Sequence, residues 1–229
     1  MRRCSRGARS IGDNGHGMHI WHSASYALIG IAASAVSCPT AQAFTVAISS
    51  GNPRAIYLQV GVGSFSGLYN SGGTPLANPT VNIVSVSVPT VAVGGGTAQA
   101  MASNTGATNS FYDNFVFCNA GQLYVGGFYR FNSNASGAGA TLTANSATAM
   151  TNGSGHTIPF TQISWVSSGN GDSGAQPFPS GTFTGGTQSI GTIARNQWAE
   201  SCMSFTYLNS SIRAAGTYSG TVTYTLTAP

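Results

Sequence analysis

The sequence predicts an all-β protein, a sandwich or barrel of about ten short strands, and three observations carry that prediction. Runs of β-branched and aromatic residues recur at short intervals between Gly, Asn, Pro and Ser. Several runs alternate apolar and polar residues with a period of two, which places one face on a core and the other in water. After Ala43, no apolar run at helical spacing extends beyond about two turns.

The predicted strands begin with Phe44–Ser49 and Ala55–Val62, separated by a Ser-Gly-Asn-Pro turn. Val81–Val88 follows, with Val84, Val86 and Val88 on one face and Ser85 and Ser87 on the other. Ser110–Cys118 and Gln122–Arg130 are rich in Phe, Tyr and Val and flank an Asn-Ala-Gly turn. Then come Ala140–Ala144, Thr157–Val166, Gly181–Thr184 and Ser189–Ile193. Trp198–Leu208 alternates Met203, Phe205 and Tyr207 with Ser204 and Thr206, and Thr217–Thr227 closes the chain. The intervening segments around Ser71–Pro75, Asn132–Gly139 and Ser167–Gly174 read as loops, and nothing in them demands a second domain. Residues 44–229 are therefore expected to form a single domain.

Residues 1–43 differ in composition. Arg2, Arg3, Arg6 and Arg9 precede the apolar run Ala27–Val36, and Ala41-Gln42-Ala43 follows it. This is the pattern of a signal peptide cleaved after Ala43, with Met1 or Met18 as the start. The apolar run is shorter than the ~20 residues that cross a bilayer, so no transmembrane anchor is expected. Ala35-Val36-Ser37-Cys38 also offers a lipoprotein cleavage site at Cys38 as the minority reading. Either route leads to the periplasm, the cell surface or the medium.

Only 5% of the residues are charged, against about 25% in an ordinary soluble domain. Most of the formal charge of +4 belongs to the leader, where four Arg face Asp13. Beyond it stand Arg54, Arg130, Arg195 and Arg213 against Asp113, Asp172 and Glu200, a balance of +1, and there is no Lys anywhere. That scarcity excludes a nucleic-acid binder, which neutralises phosphates with Lys and Arg clusters. Two cysteines remain after the leader, Cys118 and Cys202, and an even pair in a secreted chain is expected to be a disulfide. With His156 the sole histidine beyond the leader and no C-x-x-C spacing, no metal site is expected, and no motif calls for a cofactor.

Catalysis is not expected. Gly171-Asp172-Ser173-Gly174 resembles the nucleophile segment of trypsin-like serine proteases, but His156 and Asp113 precede it in the wrong order for that family's triad. Gly and Asp here read better as turn residues. Gly94-Gly95-Gly96 lacks the Lys and helix of a phosphate loop. Tyr124, Phe128, Tyr129 and Trp165 are candidates for stacking on a sugar ring, and the competing reading of strand aromatics as core is the stronger one.

The most specific signal is the C-terminal stretch from Ala215 to Pro229. Tyr218, Val222, Tyr224 and Leu226 share one face, interrupted by Gly220, and Thr217, Ser219, Thr221, Thr223, Thr225 and Thr227 fill the other. With Gly216 ahead of these alternating hydrophobics, the stretch resembles the terminal strand of chaperone–usher pilin subunits and of spore coat U-type secreted proteins. The resemblance implies an incomplete immunoglobulin-like antiparallel sandwich, the fold of a fimbrial or cell-surface structural subunit. It implies pairing of Gly216, Tyr218, Val222, Tyr224 and Leu226 with a periplasmic chaperone and then with a like subunit. In that scheme Phe44, Val46 and Ile48 supply the donor segment. The same stretch, with its terminal Pro229, is also similar to the distal motif of WxL-type surface domains, and Trp165-Val166-Ser167 is the nearest counterpart of their upstream motif. That second resemblance implies a non-catalytic domain bound to cell wall or carbohydrate.

Overall fold

The longest strand, Gln197–Tyr207, organises the molecule because its residues are buried at both parities and both of its edges are paired. In the computed structural model, which describes residues 45–78, 80–134 and 136–229, ten strands build two sheets. They are β1 (Thr45–Ala47), β2 (Ala55–Val60), β3 (Gln99–Ala100), β4 (Leu123–Arg130), β5 (Ala140–Asn145), β6 (Ile163–Ser168), β7 (Gly181–Thr182), β8 (Thr187–Ile193), β9 (Gln197–Tyr207) and β10 (Thr223–Thr227). The main sheet runs β7-β6-β9-β4-β2, with β1 and β3 taking the remaining lengths of the β9 edges. The second sheet runs β8-β5-β10. All of these pairings are antiparallel. Among the described residues the helical turns are three short 3-10 segments. Residues 1–44, which include the expected signal peptide, Cys38 and Phe44, lie outside the described residues.

The two sheets share one core, which makes the molecule the all-β sandwich that the alternation predicts. Leu123, Val125 and Tyr129 of β4 and Ala199, Met203, Phe205 and Tyr207 of β9 meet Ala140, Leu142 and Ala144 of β5, Ile190 and Ile193 of β8 and Leu226 of β10. Large side chains at every second position bury area at about 25 cal/mol per Å², the main driving force for closing the sandwich.

Several strands differ from their predicted extent. Thr157–Val166 divides at Pro159, which cannot donate to a ladder, giving a Thr157–Ile158 hairpin strand, a 3-10 turn and β6. Ser110–Cys118 is mostly a loop, because Asn114 takes a left-handed φ of 67° and Asp113 caps Phe115 N–H; only Val116–Cys118 is a strand. Val81–Val88 alternates as predicted, with Val84, Val86 and Val88 packed against the core, yet it pairs only at Val84–Ser85.

Gly127 lies where β4 passes close to β2, and a Cβ there would meet the Tyr57 carbonyl oxygen at 2.1 Å. That neighbour is backbone and cannot rotate away. Gly127→Ala should therefore cost about 3 kcal/mol, the upper range of overpacking. Gly106→Ala, whose Cβ meets nothing within 4 Å, should cost far less in the same urea denaturation series.

Candidate functional site

The C-terminal strand is an edge strand whose two faces match the sequence reading. Tyr218, Val222 and Tyr224 are half-buried against the core and Leu226 is buried, while Thr221, Thr223, Thr225 and Thr227 are exposed. Burial in this position pushes the Tyr224 hydroxyl well above the ordinary tyrosine range. β10 pairs with β5 from Thr223↔Asn145 to Thr227↔Thr141. Upstream, only the bridge Ser219↔Thr151 ties the segment to a neighbour, with N–H···O distances of 2.9 and 3.0 Å. Gly216 sits just before it at φ 146°, close to Asn152.

Along Thr223–Thr227 the edge away from β5 has no ladder partner among the described strands, and neither does the edge of β2 away from β4. These two edges pack side by side along one seam of the sandwich without pairing. Ile56 marks the seam: it lies opposite Tyr129, on the core-facing side of β2, yet it is 45% exposed. A core-facing isoleucine left nearly half in water is what an uncovered sheet edge produces.

The N-terminal segment takes a position inside its own sheet. β1 pairs with β9 through Thr45↔Ala199, Val46↔Trp198 and Ala47↔Gln197, and Ile48 N–H donates to Asn196 O at 2.8 Å. Val46 and Ile48 are half-buried there. A donor role for these residues requires that they leave this pairing.

A second constellation, which the sequence reading did not single out, occupies the outer face of the main sheet. β9 points Trp198, Glu200 and Cys202 away from the sandwich core, and these lie opposite Phe128, Gly126 and Tyr124 of β4. Glu200 is fully buried. Its Oε2 accepts from Trp198 Nε1 at 3.0 Å, from Ser110 Oγ at 3.0 Å and from the Tyr124 hydroxyl, whereas Oε1 is buried with no partner. Burial raises the Glu200 pKa from 4.5 to about 7; the three donors pull it down and nearby Asp113 pushes it up, but loss of solvation wins. The same burial, with Glu200 adjacent, holds the Tyr124 hydroxyl far above its usual range.

Gly126 makes this arrangement possible, since a Cβ there would lie 2.3 Å from the Tyr124 hydroxyl. On the far side of Gly126, buried Gln59 accepts from the Tyr57 hydroxyl at 2.9 Å and donates to Gly61 O at 2.8 Å. Above the carboxyl, Tyr57, Phe65, Tyr69, Tyr112 and Phe128 close over Trp198 at centroid distances of 5.3 to 6.2 Å. The two loops carrying this cover are joined to each other by Tyr69 N–H to Phe111 O and Asn70 N–H to Tyr112 O. The Cys118–Cys202 disulfide, predicted from the even cysteine count, anchors the second loop to β9 beside Tyr124. The signal for this face was present in the sequence, because Trp198, Glu200 and Cys202 interleave with Ala199 and Met203, a strand apolar at both parities.

The remaining candidates take structural places. Tyr124, Phe128, Tyr129 and Trp165 are all buried, so none offers a face to a sugar ring; Trp165 Nε1 donates to Pro179 O at 2.9 Å. Gly171-Asp172-Ser173-Gly174 is the turn that its Gly and Asp predict, with Gly171 at φ 83° and Asp172 N–H on Gly169 O. His156 closes the 152–156 hairpin turn, and Asp113 lies in the 110–115 loop. No group of three or more metal-ligating side chains occurs among the described residues. No helix among them is long and apolar enough to cross a membrane. No family model, no curated protein and no solved structure matches the chain, so its character rests on this geometry.

Proposed function

We propose that the chain is a secreted bacterial structural subunit of the cell surface or of a fimbria, with an immunoglobulin-like sandwich that assembles by strand addition at its C-terminal strand. The observation that carries this reading is the open seam, where the unpaired edge of Thr223–Thr227 runs beside the unpaired edge of Ala55–Val60 and Ile56 stays uncovered. Exposed edges template pairing, and soluble monomers commonly blunt them with Lys or other charges. Here the exposed face of the edge strand carries only Thr, and the chain contains no Lys. A strand from a periplasmic chaperone or from a like subunit would satisfy the free backbone groups and cover Ile56. The role calls for no catalytic group and no cofactor.

Thr223→Lys combined with Thr225→Lys tests this directly, because both side chains are exposed and face away from the core. The expected result is a folded monomer that has lost its multimers, read by light scattering or sedimentation, with an unchanged circular dichroism spectrum. Multimers that persist in the double variant would sink the strand-addition reading. A wall- or glycan-binding domain is the second reading, favoured by a cleft of about 330 Å³ lined by Gln59, Val62, Thr108, Asn109 and Phe111.

A further inference from the structure

A separate cleft of about 370 Å³ opens between the 155–157 side of a hairpin and residues 212–218, lined by His156, Thr157, Arg213, Ala214 and Tyr218 with Ile212 at its rim. We infer that this cleft binds a carboxylate-bearing ligand through Arg213. The inference stands independently of the strand-addition reading.

Among the described residues, Arg213 is the arginine that lines this cleft. Arg54 and Arg195 lie over the Phe131 ring, whereas Arg130 Nε, like that of Arg213, is buried with no hydrogen-bond partner. Arg213 makes one protein hydrogen bond, from Nη1 to Thr157 O at a long 3.4 Å, and its Nε is buried with no partner. None of Asp113, Asp172 and Glu200 lines the cleft. A guanidinium lining a cleft presents fixed charge and planar N–H pairs that suit the two oxygens of a carboxylate.

The walls around Arg213 are fixed before any ligand arrives. Asn152 Oδ1 accepts from Ser154 N–H and His156 N–H, and Asn152 O accepts from Gly155 N–H. The Thr151↔Ser219 bridge then holds the hairpin against the segment that carries Tyr218. Tyr218 donates its hydroxyl proton to Ala214 O at 2.9 Å, which leaves the hydroxyl oxygen as an acceptor beside the cleft. The His156 side chain is exposed and supplies a further polar contact. Asn152 thus takes up the Ser154, Gly155 and His156 backbone amides, so the turn side of the cleft offers no nest of N–H groups to a tetrahedral anion. Such preorganisation lowers the entropic cost of binding.

The test is an NMR titration of the purified protein with sodium acetate, glucuronate, glucose and inorganic phosphate at constant ionic strength, following His156, Thr157 and the Arg213 Nε–H signal. Acetate and glucuronate should shift these signals saturably, and glucose should not. Equal affinity for the two acids indicates a small free carboxylate, whereas tighter glucuronate binding indicates a sugar-borne one. Arg213→Gln should weaken carboxylate binding at least about tenfold, as expected when a charge-assisted pair is lost. Should that variant fold poorly, Ala214→Glu places an acid at the exposed lip of the cleft, and it should abolish acetate binding in a folded protein. Phosphate binding tighter than either acid, shifts that do not saturate, or full binding by Ala214→Glu would overturn the inference.

Discussion

Replacing Glu200 with leucine is expected to lower stability by about 3–5 kcal/mol, although leucine is apolar and the site is buried. The reason is the three donors that Glu200 Oε2 now accepts, from Trp198, Ser110 and Tyr124. Leucine leaves all three inside without an acceptor, at about 1–3 kcal/mol for each donor that cannot find a substitute partner. The gain from no longer burying a carboxyl offsets part of that cost and keeps the total below the simple sum. Glu200→Gln retains a carbonyl oxygen for the same donors, so it should cost much less. Urea denaturation of the two variants at one pH separates the hydrogen-bonding role from the charge.

The pH profile of the wild-type protein follows from the same site. In the folded chain Glu200 keeps its proton up to about pH 7, whereas in the unfolded chain it loses it near 4.5. Between these values the folded state holds one proton more, so the contribution of this group falls as pH rises and is constant above 7. The interval corresponds to about 3 kcal/mol in this buried position. Glu200→Gln should flatten that slope. The same dependence of stability on pH between 5 and 7 in both proteins would show that the carboxyl is solvated.

What could be read from the chain, and what could not, divides along a physical line. Alternation reports which face of a strand is buried, and it placed Tyr218, Val222, Tyr224 and Leu226 on the core and the threonines in water, as observed. It does not report whether the backbone edges are paired, so Val81–Val88 has the expected inward valines but a ladder only at Val84–Ser85. Nor does period two reveal a face buried by loops rather than by the other sheet. Trp198, Glu200 and Cys202 lie under the segments around Phe65–Tyr69 and Ser110–Cys118, whose cover depends on long-range contacts such as Tyr69 N–H to Phe111 O. Glu200, one of seven charged side chains after residue 43, read as an isolated acid because the three donors that surround it come from sequence positions up to 90 residues away.

The disulfide carries the other large effect, and its consequences should be local as well as global. Cys118 and Cys202 are 84 residues apart, so the chain-entropy model assigns the cross-link about 4.5 kcal/mol through restriction of the unfolded chain. The double variant Cys118→Ser/Cys202→Ser should lose most of that in urea denaturation. In the folded state the bond joins the Val116–Cys118 strand to β9 immediately beside the Tyr124–Glu200 pair, in a small cluster with Phe117. Without it, the loop from Ser110 to Cys118 is held by Ser110 to Glu200, by the short pairing of Thr108–Asn109 with Val116–Cys118 and by aromatic contacts. Hydrogen exchange in the double variant should therefore rise most in residues 105–118 and in the partner loop at Tyr69 and Asn70. The core strands β5 and β8, on the opposite sheet, should keep protection that tracks global stability alone. Uniform loss across both sheets would mean that the bond acts only on the unfolded chain. A loss concentrated in 105–118 would instead place the disulfide in the structure as the fastening of the cover over Glu200.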